Sequence, residues 1–411
     1  MKRRVVMLVI LVGMVVVAGA GMELFKQKIE GGAKNDKYSE FVTEVYDKIQ
    51  QNYWEKITDD ELSNLFGLAT KKITGKEGSL KTKDKNGVLE IIKNIENKEQ
   101  IPPIIDVVLA NLKPFERSRL YSQKEEKTLA NNVNNIDEQS NYMGTLGIGK
   151  SATDKEVAVA YENKIKKAKK PEDRAKVEQA YKVLKEADSR NIYELYGAEP
   201  TIDYKLLTPN IYYIHLTKFS PLSLNEFVRV IDKVRNKGEE LDTLIFDLRG
   251  NIGGAIDQLP YFLGPFIGPD NYAYQFYHQG VREDFKTTSG WLDTLVRYKK
   301  VIILIDGQSQ STAEVTAAVL KKYNVGVVVG KTTKGWGTVE RVIPLEHQIS
   351  ESEKYSLFLV HHVTLREDGQ PIEGRGVDPM ISITDPNWKK DLYRRFNDQV
   401  IVNQVADIFG L

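Results

Sequence analysis

The sequence predicts an α/β fold in which a mixed, largely parallel sheet is connected by crossover helices, within a core domain at 204–390. Three short runs of aliphatic and β-branched residues, at 244–248, 301–305 and 325–329, have the composition of buried strands. A strand that is followed by a helix and a second strand normally pairs with it in parallel. The recurrence of this unit therefore predicts a parallel sheet.

Further elements complete the predicted core. The run 211–216 predicts a strand, and Ser223 followed by Glu226 predicts a capping box at the start of a helix. Another strand is predicted at 355–364. Apolar spacing near the end of the chain predicts one C-terminal helix, at 391–411.

The regions before the core predict helices. Apolar side chains at helical spacing predict an all-α N-terminal region at 37–136. A second helical module is predicted at 141–197, where Thr153 and Glu156 form a capping box. This module resembles a J-domain, the helical hairpin of chaperone partners, but it lacks the His-Pro-Asp tripeptide of that family. The resemblance implies a degenerate module for protein contact or spacing.

The first 22 residues predict a signal peptide or membrane anchor. Lys2, Arg3 and Arg4 precede an uncharged, mostly aliphatic stretch from Val5 to Met22. The stretch is about as long as a membrane span of ~20 residues, which favours an uncleaved anchor. The rest of the chain is therefore predicted to be membrane-anchored or secreted and to face the extracytoplasmic side of a bacterial envelope.

Composition excludes several classes of function. Lys and Arg number 58 and Asp and Glu 57, so the net charge of +1 gives no overall field that would attract nucleic acid. The absence of cysteine excludes a disulfide framework, a thiol nucleophile and a lipid-modified cysteine. The sequence predicts no cofactor.

A polar turn at 306–311 lies between the strand 301–305 and a helix that starts near Ser311. A serine in this position can sit at the positive end of the helix dipole, beside free backbone N–H groups, which is a setting for a nucleophile. Ser311 also fits an ordinary helix N-cap. The segment by itself leaves both interpretations open.

Further motifs accompany this serine turn in a fixed order. DLRGNIGG begins at Asp247, GKTTKGWGTVE follows the strand 325–329, and GRGVDP occupies 374–379. Together the motifs resemble those of the carboxyl-terminal processing peptidases, also called tail-specific proteases, although Asp378 and Pro379 stand in swapped order. The resemblance covers about residues 204–390. It implies a crotonase-like core and a polypeptide substrate.

The resemblance also implies roles for individual residues. Ser311 takes the place of the nucleophilic serine, and Glu314 matches the glutamate that closes the serine motif. The N–H groups of the Gly253-Gly254 pair and of Thr312 would hold the oxyanion of a tetrahedral intermediate. In the family, N-terminal helices pair protomers, so a homodimer is implied. The same helices would serve equally well as a support for the core.

The chain departs from the family at the general base. Trp336 stands where the family has its base lysine, and Glu340 stands where it has a supporting glutamine. An indole has no basic nitrogen, so it cannot take the proton of a serine hydroxyl. Lys334 lies two residues earlier on the same face of an extended segment and is the candidate for a relocated base. Lys331 and Glu340 are weaker candidates.

The histidines predict neither a base nor a metal site. His215, His361 and His362 fall on predicted strands and outside the motifs. Consecutive residues of a strand point to opposite faces, so His361 and His362 are expected not to bind one metal ion together.

Two functions of different class therefore remain. In the first, the chain is an exported serine endopeptidase that cuts polypeptides near their C-termini, with Ser311 as nucleophile and Lys334 as base. In the second, it is a non-catalytic pseudopeptidase that binds peptides or acts as a scaffold in the cell envelope.

Overall fold

Two β-sheets organise the residues that the computed structural model describes, which are 36–77, 80–238, 240–366 and 368–411. The predicted signal peptide or anchor at 1–22 lies outside these ranges. Within them, no helix has the length and apolar character that a membrane crossing requires. The strands are β1 (Arg119–Ser122), β2 (Ile202–Thr208), β3 (Ile211–Leu216), β4 (Thr243–Asp247), β5 (Tyr272–His278), β6 (Val281–Lys286), β7 (Lys300–Ile305), β8 (Val327–Gly330), β9 (Thr338–Pro344), β10 (Tyr355–Leu365) and β11 (Ile381–Ser382). The helices are α1 (Lys37–Asn52), α2 (Asp59–Thr74), α3 (Lys85–Lys93), α4 (Ile101–Ala110), α5 (Gln123–Asn134), α6 (Tyr142–Leu146), α7 (Asp154–Ile165), α8 (Pro171–Leu184), α9 (Ala187–Tyr196), α10 (Ser223–Asp232), α11 (Leu259–Ile267), α12 (Asp293–Val296), α13 (Thr312–Lys322), α14 (Trp388–Phe396) and α15 (Gln399–Phe409).

The six-stranded sheet contains the predicted crossovers. Its order is β11-β8-β7-β4-β3-β2. Every neighbouring pair from β11 to β3 is parallel, and β2 is antiparallel to β3. The predicted α/β fold with a mixed, largely parallel sheet is confirmed.

Both faces of this sheet are covered, because alternate residues of each strand point to opposite sides. On one side, Phe246 packs with Phe262 of α11, and α10 and α13 share the same core. On the other side, Ile245 packs in a separate core with Val405 and other residues of α14 and α15. Burial on both faces explains why these strands are continuous apolar runs in the sequence.

The C-terminal region forms two helices where the sequence predicted one. Asn397 has a φ of 49°, which ends α14, and Asp398 then caps α15 by accepting hydrogen bonds from the Val400 and Ile401 N–H groups. The apolar positions of both helices face the sheet, so their spacing alone did not reveal the break.

The predicted capping box at the start of α10 is wrong. The Glu226 carboxylate accepts hydrogen bonds from the Thr201 N–H at 2.8 Å and the Thr201 hydroxyl at 2.9 Å, so it secures the chain that leads into β2. Ser223 is the first residue of the helix and makes no capping hydrogen bond to its first turn. The Glu226 side chain, which local spacing assigned to the cap, is therefore bonded to Thr201 instead.

The five-stranded sheet joins the N-terminal helices to the core. Its order is β1-β10-β5-β6, and β9 also pairs with β10. Because β1 belongs to the region 37–136, a short strand interrupts the helices predicted there. Helices α1 to α4 pack on β9 and β10 through one apolar cluster, which includes Phe41, Leu62, Ile105, Leu357 and Leu359.

The module at 141–197 consists of the helices α6 to α9. Its capping box is confirmed, because Thr153 and Glu156 exchange hydrogen bonds at the start of α7. The helices enclose their own small apolar cluster, which includes Tyr142, Val157, Ala180, Val183 and Leu184. The likeness of this module to a J-domain stays a prediction.

Candidate active site

The motifs that follow β4, β7 and β8 meet at one edge of the six-stranded sheet. These strands are parallel neighbours, so their carboxyl ends lie side by side. The loops are also hydrogen-bonded to one another. The Gln310 N–H donates to Asn251 O at 2.9 Å, and the Lys334 N–H donates to Ser309 O at 3.0 Å. Residues from three separate motifs are thus brought into one site.

Ser311 lies between β7 and α13 in a backbone conformation that few L-residues adopt. Its φ and ψ are 56° and −123°, whereas an ordinary N-cap residue is extended with a negative φ. Its N–H donates to Glu314 Oε2 at 2.8 Å. Such conformations concentrate at functional sites, and a sharp strand-to-helix turn presents its side chain outward. The cap interpretation alone does not account for this turn.

The glycine loop lies directly against Ser311. A Cβ atom on Gly253, whose φ is 84°, would stand 2.7 Å from Ser311 Cβ and 3.0 Å from Thr312 N. Gly254 has a φ of 136°, and a Cβ there would stand 1.9 Å from Phe219 O. Only glycine permits both backbone approaches.

The predicted oxyanion donors are the N–H groups of Gly253, Gly254 and Thr312. Two of these groups, those of Gly254 and Thr312, are available to an oxyanion beside Ser311. The Gly253 N–H is engaged, because it donates to Asn251 Oδ1 at 2.8 Å. Thr312 is the first residue of α13, so its N–H has no acceptor within the helix. Gly254 forms a parallel bridge with Phe219, in which the Phe219 N–H donates to Gly253 O and the Ala255 N–H donates to Phe219 O. In such a bridge the N–H of Gly254 itself points away from Phe219.

Glu314 holds the serine turn and the loop after β8 in a fixed relation. Its buried carboxylate accepts hydrogen bonds from the Ser311, Gly335 and Trp336 N–H groups at 2.7–2.8 Å and from the Thr333 hydroxyl at 2.5 Å. Burial raises the pKa of the Glu314 carboxyl, and the four hydrogen bonds oppose that effect. Glu314 is therefore a positioning residue for both segments.

Trp336 is held between two cations. The Arg117 guanidinium carbon lies 3.3 Å from the centroid of the indole, and Lys334 Nζ lies 4.9 Å from it. The indole N–H donates to Glu340 Oε1 at 3.4 Å. A cation over an aromatic face is stabilising, so these contacts fix the indole at the position where the sequence predicts the family's base.

Arg117 is the residue that sequence reasoning missed. It comes from the region predicted as N-terminal helices, where a single cation outside any motif gives no signal. Its Nη2 donates to Glu373 Oε1 at 3.0 Å, and Glu373 Oε2 accepts from the Gly337 N–H at 2.8 Å. Arg117 thereby links the N-terminal region to both Trp336 and its neighbour.

Lys334 reaches the residue that precedes Ser311. Its Nζ donates to Gln310 Oε1 at 2.6 Å, and Gln310 Nε2 donates to Ile252 O at 3.2 Å. The Lys334 side chain is exposed to solvent, which differs from the enclosed setting of an activated lysine.

The Glu340 carboxylate is hydrogen-bonded to the indole of Trp336. Its Oε1 accepts from the Thr338 hydroxyl at 2.6 Å and from the Trp336 indole N–H. Burial raises the pKa of the Glu340 carboxyl, while these two hydrogen bonds lower it. The carboxyl is thus placed to fix Trp336.

The GRGVDP segment closes the site from the other side. The Thr333 N–H donates to Val377 O at 3.1 Å, and the Val377 N–H donates back to the Thr333 hydroxyl at 2.7 Å. The Thr332 hydroxyl donates to Asp378 Oδ1 at 2.7 Å. The side chain of Asp378 is therefore hydrogen-bonded to the loop after β8, although Asp378 and Pro379 stand in swapped order.

The Asp-Leu-Arg part of DLRGNIGG holds the glycine loop in place through hydrogen bonds of its charged side chains. Asp247 is fully buried, and Arg249 donates to its carboxylate through Nη2 at 2.8 Å and Nε at 3.0 Å. Arg249 Nη1 also donates to Ile408 O at 2.9 Å, which ties the glycine loop to α15.

His361 and His362 point toward each other, which corrects the expectation that they face opposite ways. Val360 pairs with Glu340 and His362 pairs with Val339, so His361 is an extra residue on β10. Such a β-bulge breaks the alternation of side chains. The two imidazole ring centroids are 4.3 Å apart.

Residues 210–383 match the sequence pattern of peptidase family S41. This segment is therefore similar to peptidase family S41. The S41 domain runs from β3 to β11 and contains all four motifs, so the family resemblance read from those motifs is confirmed.

Curated relatives of the S41 domain are bacterial proteases. The carboxy-terminal processing protease CtpB of Bacillus subtilis (strain 168) is 28% identical over 178 residues, which are 43% of this chain and 34% of that protein. The tail-specific protease of Haemophilus influenzae (strain ATCC 51907 / DSM 11121 / KW20 / Rd) is 31% identical over 141 residues, which are 33% of this chain and 19% of that protein. The matched segments therefore cover about a third of these relatives or less.

Among solved structures, the photosystem II D1 C-terminal processing protease has a similar fold. It superposes with a TM-score of 0.52 and 13% identity over 85% of this chain and 94% of that chain. At this level of identity the likeness shows the fold alone.

Proposed function

We propose that the S41 domain of this chain binds polypeptide segments beside Ser311 and lacks the hydrolytic rate of a Ser/Lys peptidase. The observation that carries the proposal is the indole of Trp336, held between Arg117 and Lys334. A serine hydroxyl is a poor nucleophile without a base. A site that has lost one member of its catalytic unit keeps roughly 10³-fold acceleration over water from binding and oxyanion donors.

Binding of a polypeptide is supported by the groups around Ser311. The N–H groups of Gly254 and Thr312 are donors for a peptide carbonyl. Ile252 is 51% exposed beside the glycine loop and offers an apolar contact to a side chain. The curated relatives are proteases, so a polypeptide is the ligand class that the family favours.

The cellular setting follows from the sequence. The basic residues and apolar stretch at 1–22 support export or anchoring, with the S41 domain on the extracytoplasmic side of a bacterial envelope. The module at 141–197 and the N-terminal helices are then available for contacts with other proteins or with a second copy of the chain. In this role the protein is a peptide-binding scaffold of the envelope.

A second function is favoured by the position of Lys334. Its Nζ lies 2.6 Å from the side chain of Gln310, which immediately precedes Ser311. On this alternative, Lys334 takes the Ser311 proton in the complex with substrate, Gly254 and Thr312 stabilise the oxyanion, and the chain is a tail-specific serine endopeptidase.

One set of variants separates the two functions. Full-length protein, in a non-ionic detergent, is mixed with fluorescein-labelled casein, an unstructured polypeptide. Binding is followed by fluorescence anisotropy and cleavage by mass spectrometry of new termini. Wild type is compared with Ser311→Ala, Lys334→Ala and the double variant Trp336→Lys/Glu340→Gln. Lys331→Ala, an exposed lysine in the same loop, is the matched control.

The peptide-binding proposal expects casein to bind wild type and the three single variants equally, with cleavage at one common background. The double variant should cleave at least about tenfold faster than wild type, because it restores an amine and its supporting amide. Wild-type cleavage that is lost in both Ser311→Ala and Lys334→Ala, but kept in Lys331→Ala, would establish the endopeptidase instead. Absence of casein binding would refute both.

A further inference from the structure

Three of the five histidines form a cluster outside the four motifs. His278 ends β5, and His361 and His362 lie at the bulge of β10. The ring of His361 stacks on that of His278 with centroids 4.4 Å apart, and one nitrogen from each of the three rings lies within 4.8 Å of the others. The remaining histidines, His215 and His347, lie elsewhere in the chain.

Local hydrogen bonds fix the direction of these rings. The Nδ1 of His278 lies 2.6 Å from His361 O, and because a carbonyl oxygen only accepts, this nitrogen carries the proton. The lone pair of His278 is therefore on Nε2. A backbone carbonyl that orients an imidazole in this way is the usual support of a metal-binding histidine. The Nδ1 atoms of His361 and His362 are 3.1 Å apart.

Burial disfavours the charged form of His361 and His362. His362 is buried and stacks on Phe276, with ring centroids 4.9 Å apart. Burial lowers the pKa of His362 to about 3, and burial together with Arg341 lowers the pKa of His361 to about 4. Metal ions bind the neutral imidazole, in which one ring nitrogen offers its lone pair.

We propose that His278, His361 and His362 bind one divalent transition-metal ion of the zinc class through three imidazole nitrogens. Nitrogens bound tetrahedrally to zinc at about 2.0–2.1 Å are about 3.3 Å apart, so the His361 and His362 pair already has ligand spacing. The third nitrogen lies within 4.8 Å of the other two, so a side-chain movement would bring it to the ion. Three imidazole ligands favour zinc over calcium or magnesium, which prefer oxygen ligands, and leave one coordination position for water. The proposal is independent of the function of the Ser311 site.

A metal ion at this cluster would connect two strands at a place where a third segment of the chain also packs. The residue after His278, Gln279, donates its N–H to Trp54 O at 2.7 Å, and the Trp54 N–H donates to Val360 O at 3.0 Å. The ion would therefore tie the β5–β6 hairpin to β10 at the point where the end of α1 packs on both. Its binding should stabilise the fold against heat.

The positive charge of Arg341 disfavours a metal ion at this cluster. Its Nη1 lies 3.5 Å from His361 Nε2, and its positive charge repels a bound cation. The Arg341 side chain is exposed and is free to swing into solvent, so it weakens the proposed site without blocking it. Removing this charge should strengthen metal binding while leaving all three ligands in place.

The test uses the full chain in non-ionic detergent, stripped of metal with a chelator. Zinc chloride is titrated in by calorimetry, and cobalt(II) is added separately to record the visible absorption of its coordination sphere. Wild type is compared with His278→Gln, His362→Gln and Arg341→Ala, and with His347→Gln as the matched control. Thermal unfolding in chelator shows whether each variant is folded.

The proposal expects one zinc ion per chain in wild type and in His347→Gln, with a higher unfolding temperature in zinc than in chelator. His278→Gln and His362→Gln should each weaken zinc binding at least about tenfold and lose the cobalt absorption band. Arg341→Ala should bind zinc more tightly than wild type. Equal zinc affinity in wild type and His278→Gln, or no zinc binding by folded wild type, would overturn the proposal.

Discussion

At the scale of single residues, the tryptophan that is predicted to replace the family's base lysine is surrounded by a set of interactions built around its indole. Arg117 covers one face of Trp336, Glu340 accepts its N–H, and Glu373 neutralises Arg117. A stacked cation of this kind contributes about 0.5–2 kcal/mol. The interactions give the substitution a structural role, because the ring is packed and hydrogen-bonded at the edge of the site.

The first prediction concerns the contact between the glycine loop and Ser311. Gly253→Ala and Gly280→Ala both place a side chain at a positive φ, at 84° and 93°. Only Gly253 has a neighbour in the way, because its Cβ would stand 2.7 Å from Ser311 Cβ, whereas nothing lies within 4 Å of a Cβ on Gly280. Gly280→Ala should cost about 1–2 kcal/mol, and Gly253→Ala at least about 1 kcal/mol more.

Urea unfolding of the two variants measures this difference. In the casein binding assay, Gly253→Ala should also weaken binding, since the displaced turn carries Gly254 and Thr312. Equal unfolding free energies for the two variants would show that the loop does not press on Ser311.

At the scale of elements, the site is assembled by side chains that cross between loops. Glu314 of α13 accepts from the loop after β8, and Asn251 of the glycine loop donates to Leu216 O at the end of β3. Asp306 after β7 accepts from the Gly250 N–H at 3.0 Å. Each bond joins two segments that are far apart in the chain and whose sequences show no local reason for the contact. The parallel arrangement of the strands supplies that reason.

The second prediction concerns the docking of α15. Asp398 caps this helix and accepts from Lys300 Nζ at 2.8 Å, and both side chains are mostly buried. Burial would raise the pKa of Asp398, but the Lys300 ammonium and the N–H groups of Ile401 and Val400 outweigh it and lower the pKa below its ordinary value of 3.8. The stabilisation is therefore present above pH 3.8 and lost as the pH falls through the lowered pKa.

Asp398→Asn keeps a capping side chain but removes the charge. We expect it to lower the free energy of unfolding by about 1–2 kcal/mol at neutral pH, and the difference from wild type to vanish in acid. Denaturant unfolding across pH measures this. Asp391→Asn, which breaks an exposed pair with Arg394, is the control and should cost less than about 0.5 kcal/mol at any pH. A deficit of Asp398→Asn that persisted below the lowered pKa would contradict the assignment.

At the scale of the whole molecule, the apolar clusters show which segments depend on one another. The N-terminal helices share a core with β9 and β10, so they are part of the same structural unit as the strand that carries Glu340. The module at 141–197 has its own core and meets the rest through polar contacts, such as Lys182 to Asp203 at 2.6 Å and Lys233 to Glu186 at 3.1 Å.

The third prediction compares two fully buried leucines. Leu184→Ala removes packing inside the module, and Leu357→Ala removes it from the core shared by the N-terminal helices and β10. Each should cost about 2–5 kcal/mol in its own core. Hydrogen exchange should therefore accelerate within 141–197 alone in Leu184→Ala, and in α1 to α4 together with β9 and β10 in Leu357→Ala. Acceleration throughout the S41 domain in Leu184→Ala would show that the module is not an independent core.

Much of the architecture followed from local pattern. The continuous apolar runs at 244–248 and 301–305 identified strands buried on both faces, and the order of motifs identified the family. Three expectations from local pattern failed. Glu226 bonded to Thr201 and not to its own helix, Asn397 split the C-terminal helix, and an extra residue at His361 broke the alternation of β10.

The sequence by itself determined the buried strands at 244–248 and 301–305, the family resemblance of the core and the tryptophan at position 336, because all of these are carried by residue type and by spacing along one segment. The tertiary structure alone decided that Arg117 covers the indole, that Lys334 reaches Gln310, and that His278 meets His361 and His362. These partners are far apart in the chain, and only the pairing of strands and the packing of loops brings their side chains within bonding distance.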